Sequence, residues 1–351
     1  MRAKSEVIRK FIIDQVEGHP KDIARLTAEQ FSISRQAVNR HIKTLIEDGV
    51  IVAEGNTKER VYSLRVATKA FNFPLAENKE EDRVWHEHIS PLLVDYKENV
   101  MNICYYGFTE MFNNAIDHSG GSDAAVKVEW SARAIKLSIL DNGIGIFEKI
   151  KSRFNLVDHR EAVLELSKGK LTTDPNNHSG QGIFFTSRMF DKFLILSNRL
   201  FFSHEEEDDD WLIETRAKDD PGTLVDMEIA ADTRRMAKEV FDKYTDLESD
   251  DYAFSKTHVP LSLARYDEEQ LISRSQAKRV LARFERFKEV FLDFHGVESI
   301  GQAFADEIFR VFRRNNPGVR IIASRANQAV NQMIKRAESS LNSPSSPVDP
   351  P

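Results

Sequence analysis

Glu110, Asn114 and Asp117 are spaced four and three residues apart, so a helix would carry all three on one face. A carboxylate and a carboxamide one turn apart suit a magnesium–phosphate site. The amide oxygen of Asn114 is a hard ligand for Mg2+. The carboxylate of Glu110 can polarise a water for attack on a terminal phosphate. The same spacing also fits an ordinary solvated helix face. Three downstream segments weigh on that choice. Asp141-Asn-Gly143-Ile-Gly145 ends a β-type run in which Ile135, Leu137 and Ile139 alternate. Its glycines permit positive φ and close approach of a ligand, although a plain Asp-Asn-Gly turn reads the same way. Gly180-Gln-Gly182 precedes a helix-like run over 183–190, whose N-terminal amides would favour an anion. Gly222-Thr223 heads an apolar run over 224–229. Thr223 there is either a ligand contact or a β-branched strand residue.

The elements that must position these residues are legible in part. Residues 99–117 hold no proline and one glycine. Cys104, Phe108, Met111 and Ala115 make an apolar stripe on a different face from Glu110, which predicts an amphipathic helix. Residues 147–179 read as a long polar loop over the site, rich in Lys, Asn and His (Lys168, Lys170, Asn176, Asn177, His178). Lys168 or Lys170 could touch a phosphate, and solvation is the simpler reading.

Taken in this order, the four segments resemble the GHKL family of ATP-binding domains: type II topoisomerases, Hsp-type chaperones, mismatch-repair ATPases, histidine kinases and anti-sigma-factor kinases. The resemblance implies an α/β sandwich (the Bergerat fold) over residues 96–230, with a lid at about 147–179. It implies ATP and Mg2+ as cofactors. Glu110 would be the catalytic base and Asn114 the metal ligand. Asp117 belongs to the same motif. Asp141 would accept a hydrogen bond from the adenine amino group. Gly143 and Gly145 would lie against the nucleotide, and Gly180 and Gly182 against the triphosphate. Thr223 would contact adenine directly or through water. Sensor histidine kinases place Lys three residues after the magnesium Asn, where this chain has Asp117. No phospho-acceptor helix of that class precedes the segment.

Residues 1–64 carry 11 Lys and Arg against 9 Asp and Glu, so this part is basic in a chain of net charge −7. Helices are predicted over 4–16, 22–31 and 35–48, and strands over 50–53 and 60–64. Ser34 suits an N-cap and Gly49 a C-terminal stop. The pattern resembles a winged helix-turn-helix. Arg35, Gln36, Asn39, Arg40 and Lys43 fall on the polar side of the third helix, with donors suited to phosphates and base edges. Lys58, on the wing tip, could reach an adjacent groove. A winged helix used for protein contact is the other reading.

Residues 65–95 read as a linker with a helix near 80–96. Glu205–Asp210 reads as a solvated hairpin tip, because six adjacent like charges repel. Residues 236–338 alternate strand and helix and resemble a STAS-like domain with the signature Phe304-Ala-Asp-Glu307. Ile300 stands where STAS antagonists carry a phosphorylatable serine, and Ser299 reads as a helix N-cap near Gln302. Asp306 and Glu307 suit either partner contacts or a solvated face. Residues 339–351 are Ser/Pro-rich, the composition of a disordered tail. The fold class expected is therefore α+β multidomain: winged helix, GHKL α/β sandwich and STAS-like α/β domain.

One cysteine, Cys104 on the apolar stripe, reads as a small buried hydrophobe. No apolar run approaches the length of a membrane span, and no Cys/His spacing suggests zinc. A cytoplasmic protein is expected, with DNA as a partner through the winged helix, a protein partner through the STAS-like domain, and no membrane. Winged helices and ATP domains of this resemblance both often act as dimers, so a homodimer is expected by analogy. Three functions compete: an ATP-hydrolysing DNA-binding regulator whose nucleotide state controls domain docking, an anti-sigma-type serine/threonine kinase, and a nucleotide sensor without turnover. They differ in the fate of the γ-phosphate.

Overall fold

The computed structural model describes residues 2–56, 59–78, 80–172, 180–205, 210–214, 221–246, 254–265 and 269–339. Helices α1 (Arg2–Gln15), α2 (Ile23–Phe31) and α3 (Arg35–Glu47) lead to an antiparallel pair, β1 (Ile51–Glu54) and β2 (Val61–Leu64). Ser34 caps α3, its hydroxyl accepting from Ala37 N at 3.2 Å. Gly49 follows the helix at φ 71°, with its N–H on the Ile46 carbonyl at 3.0 Å. Ile12, Val38, Ile42, Leu45 and Ile51 form a separate small core.

A seven-stranded antiparallel sheet follows. Its strands are β3 (Ala67–Pro74), β4 (Asp123–Trp130), β5 (Ala134–Asp141), β6 (Lys192–Ser197), β7 (Leu200–Glu205), β8 (Trp211–Glu214) and β9 (Thr223–Ala230), in the order β3-β4-β5-β9-β6-β7-β8. Of the linker with a helix near 80–96 that was expected over 65–95, the first part is instead a strand of the sheet, and helical turns do run over 81–92. β3 pairs with β4 along its whole length. The short helix α4 (Glu81–Val84) runs on through a π-turn, burying Trp85 and Ile89. Phe71 and Phe73 alternate across Asn72, but the pair is too short a signal by itself, and the strand is set by its pairing with β4.

One long helix, α5 (Glu98–His118), lies on the sheet. Val100, Ile103, Cys104, Phe108, Met111, Phe112 and Ala115 are all buried. Each large apolar side chain on this stripe contributes about 1.5–3 kcal/mol. Phe112 stands edge-on to Phe73 of β3, at 5.6 Å. Burial pushes the Cys104 thiol well above its ordinary pKa, so it acts as a hydrophobe.

The polar loop expected over 147–179 is also corrected. Its first part is two amphipathic helices, α6 (Ile146–Phe154) and α7 (His159–Lys168), which bury Phe147, Ile150, Ala162, Val163, Leu164 and Leu166. Asp158 caps α7 by accepting from Glu161 N at 2.9 Å. Asn176, Asn177 and His178 lie outside the described residues. Beyond them comes α8 (Gly182–Met189).

Helix α9 (Ala237–Tyr244) packs on α5 and α8 through Phe241, 5.3 Å from Tyr106 and 4.7 Å from Phe185. Three parallel strands, β10 (Lys256–Pro260), β11 (Glu289–Asp293) and β12 (Arg320–Ser324), then form a second sheet in that order. Its helices are α10 (Arg274–Leu281), α11 (Gln302–Asp306), α12 (Arg313–Asn315) and α13 (Gln328–Ser339), with a π-turn over Glu307–Phe312 joining α11 to α12. The seven-stranded sheet and this unit share one continuous apolar core.

One local expectation fails in this unit and one in the long sheet. Gly301, not Ser299, is the N-cap of α11, because Ile300 is buried and bridges Leu271, so the helix starts two residues later. Asp306 is half-buried and pairs with Arg310 one turn on, which leaves both readings of it open. At the acidic tip, Asp210 is not solvated. It is 7% exposed and bonds His204 Nδ1, so the run is anchored at its last residue. Burial alone would raise its pKa, but His204 wins and holds it low. Residues 206–209 and 340–351 fall outside the described residues.

Candidate functional site

A cavity of about 330 Å3 lies between α5, the β5–α6 turn, the C-terminal end of α7 with the residues after it, and the start of α8. Glu110 and Asn114 reach it from α5, Asp141 and Gly145 from the end of β5, Gly180 and Gly182 from the approach to α8, and Thr223 from β9. Residues from four separate stretches of sequence therefore line one space. Its size lies at the lower end of the small-ligand range.

The apolar side is Ile139, Val225, Ile146 and Ile183. Next to it stands Asp141, 7% exposed, with Oδ1 accepting from Gly143 N at 2.9 Å. Burial raises the Asp141 pKa, against the opposing bonds from Gly143 and Thr223. Thr223 faces Asp141 in register across β5 and β9, and its Oγ1 accepts from Ile146 N at 3.0 Å. This bond ties the first turn of α6 to the sheet. Gly222, at φ 117°, lets the strand begin there: a Cβ would stand 2.2 Å from the Asp141 carbonyl.

Gly145 also sits in the cavity wall, at φ 88°, where a Cβ would strike Asn198 and Ser197. Gly182 touches Glu110 so closely that a Cβ would stand 1.9 Å from Glu110 Oε2. Gly180, at φ 70°, packs on the Leu171 backbone, and its carbonyl accepts from Leu171 N at 3.2 Å. That bond closes the two ends of the segment between Leu171 and Gly180.

Two residues named from the sequence do not line the cavity. Gly143 is buried beneath it against Ser119, whose carbonyl leaves no room for a Cβ. Its smallness serves the α5–turn contact. Asp117 is exposed at the last turn of α5, two turns beyond Glu110 on nearly the same face, and does not reach the cavity wall. It acts electrostatically on Lys149.

Sequence reasoning missed Lys149, His118 and the apolar pair Leu166 and Leu171, all in the cavity wall. Lys149 Nζ donates to the His118 carbonyl at 2.5 Å, and burial lowers its pKa while Asp117 opposes this. Its position one turn after Gly145 was the available signal. Lys168 and Lys170 face away from the cavity altogether. Among the described residues, no group of three or more His, Cys, Asp or Glu is placed to hold a metal by itself.

On α3, Arg35, Gln36, Asn39, Arg40 and Lys43 are all exposed, opposite the buried Val38, Ile42 and Leu45. Lys58 lies outside the described residues. His41 is half-buried, and burial beside Arg9 and Arg40 lowers its pKa.

Comparison with known families agrees with two parts of this picture. Residues 25–52 match the model for a winged helix-turn-helix of the DNA-binding type. Residues 276–331 match that for a STAS-like domain of unknown function, DUF4325. The chain thus carries a winged helix-turn-helix and a STAS-like domain within an α+β multidomain fold. No curated protein matches the chain. Among the described residues, no helix is long and apolar enough to cross a membrane.

Proposed function

We propose that the chain is an ATP-binding, ATP-hydrolysing regulator that binds DNA through its winged helix. The observation that carries the reading is the cavity. A buried carboxylate at a strand end, an apolar wall beside it, and a carboxylate and carboxamide on the facing helix converge on one space. Asp141 is a desolvated acceptor suited to an exocyclic amino group. Ile139 and Val225 give an apolar surface for a flat ring. Asn114 offers an amide oxygen to Mg2+, and the glycines at 180 and 182 leave backbone exposed to phosphates. ATP with Mg2+ would supply the cleavable phosphoanhydride. Glu110, which lies against Gly182, would take the proton from the attacking water.

The test uses γ-labelled ATP with Mg2+, on the wild type and Glu110→Ala, separating free phosphate from protein-bound label. The wild type is expected to release free phosphate, and the variant to lose at least about 100-fold in rate, the usual share of a general base. Label retained on the protein would instead support an anti-sigma-type kinase. Intact bound ATP in both proteins would leave a sensor and remove Glu110 from its role.

For the winged helix, the exposed face of α3 supports major-groove binding. Arg40→Ala is expected to weaken duplex DNA binding by about 1–3 kcal/mol if it reads a base, with ATP affinity unchanged. Wild-type binding should fall steeply between 50 and 200 mM salt, on the usual scale of phosphate-contacting proteins. A flat salt response would remove the DNA assignment. The partner of the STAS-like domain and the homodimer belong to the same reading and rest on analogy with the two families.

A further inference from the structure

The residues joining α7 to the cavity have two faces. Leu166, Leu171 and Thr172 line the cavity. Between them, Lys168 turns the other way into the STAS-like unit and is fully buried. Its Nζ donates to Glu165 Oε1 at 2.6 Å, and to the carbonyls of Arg279 and Ala282 at 3.1 Å each. Those carbonyls end α10, so the ammonium sits where a helix leaves acceptors unsatisfied and its dipole is negative. Arg283 Nη1 donates to the other oxygen of Glu165 at 2.5 Å and stacks over Phe154 at 4.1 Å. Arg279 pairs with Glu161 at 3.4 Å.

The backbone is held as well. Thr257 Oγ1 donates to the Lys168 carbonyl at 2.6 Å. Lys170 Nζ donates to the Arg286 carbonyl at 2.7 Å, and Arg286 Nη1 to the Lys170 carbonyl at 3.1 Å. Gly169, at φ 76°, lets the chain pass Phe254 and Phe184, where a Cβ would lie 2.8 and 3.0 Å away.

We propose that the STAS-like unit is the in-chain partner of this strap, residues 166–172, and that its grip at the C-terminal end of α10 sets nucleotide affinity. This rests on the nucleotide reading of the cavity. The strap is too short for its two faces to move independently, and packed interiors respond as discrete arrangements. Linkage then requires reciprocity: what loosens the α10 contact loosens the nucleotide, and nucleotide binding must alter the α10 contact.

The experiment uses the full chain, a fluorescent ATP analogue with Mg2+, and hydrogen exchange of α10 with and without ATP. Neither Arg283 nor Arg279 lines the cavity. Arg283→Ala and Arg279→Ala, each checked for an intact thermal transition, are expected to lower analogue affinity at least about five-fold, the lower end of allosteric couplings. ATP is expected to change exchange at residues 279–286 in the wild type. If the wild type binds and both variants bind equally well, with exchange at 279–286 unmoved by ATP, the coupling is overturned and the nucleotide reading stands. If the wild type does not bind the analogue, both fall.

Discussion

Asp141→Asn is expected to weaken ATP binding on the order of 10- to 100-fold, with the fold intact. The carboxylate is 7% exposed and has one oxygen committed to Gly143 N. Hydrogen bonds to charged groups are worth about 1.5–3 kcal/mol, and 1.4 kcal/mol is a factor of ten in affinity. The amide keeps the volume but turns one acceptor into a donor, which then faces the ligand's amino group or Gly143. A second consequence concerns pH. Burial raises the Asp141 pKa in the free protein, while a donor from the ligand favours the ionised form. Affinity should therefore fall on acidification as pH drops through this raised pKa, and Asp141→Asn should flatten that dependence. Calorimetric titration of ATP at several pH values checks both. Unchanged affinity in the variant would put the adenine elsewhere.

How much of this was legible depended on whether a residue's role was local. Ser34 and Gly49 cap α3 because capping is decided within one turn. The stripe of Cys104, Phe108, Met111 and Ala115 needs only the helical period. Gly145, Gly180 and Gly222 sit at positive φ, which their place beside turns foretold. Glu110, Asn114, Asp141, Gly145, Gly180, Gly182 and Thr223 were singled out from four short segments, and the fold brings those seven to one cavity.

What the sequence hid was set by partners far along the chain. Lys168 reads as a surface lysine because nothing within reach of it in sequence, Glu165 apart, shows that Arg279 and Ala282 will present carbonyls to it. Phe71 and Phe73 sit among polar residues, so β3 became visible only with β4 beside it. Gly143 looked like a ligand contact, yet its bareness answers Ser119. Asp210 looked solvated among its acidic neighbours, while His204 across the hairpin held it inside.

The buried network at the strap makes the largest stability prediction. Lys168→Met keeps most of the side-chain volume and removes the ammonium. Glu165 then keeps Arg283 alone, the Ala282 carbonyl loses the ammonium, and the Arg279 carbonyl keeps only the Ala282 N–H at 3.4 Å. Breaking a buried ion pair by removing one partner costs about 3–5 kcal/mol, a large part of the 5–15 kcal/mol that holds a typical domain together. Calorimetry should show a melting temperature lower by roughly 4–7 °C, at about 1.4 °C per kcal/mol for 351 residues unfolding together. Lys168→Met with Glu165→Leu should recover part of that loss, because replacing both charges with apolar groups removes the stranded carboxylate. Arg283 remains at the interface in both proteins and keeps its place over Phe154. A single variant as stable as the wild type would mean that the ammonium only balances its own desolvation. A double variant no better than the single one would mean that the α10 carbonyls, and not Glu165, are the groups Lys168 serves.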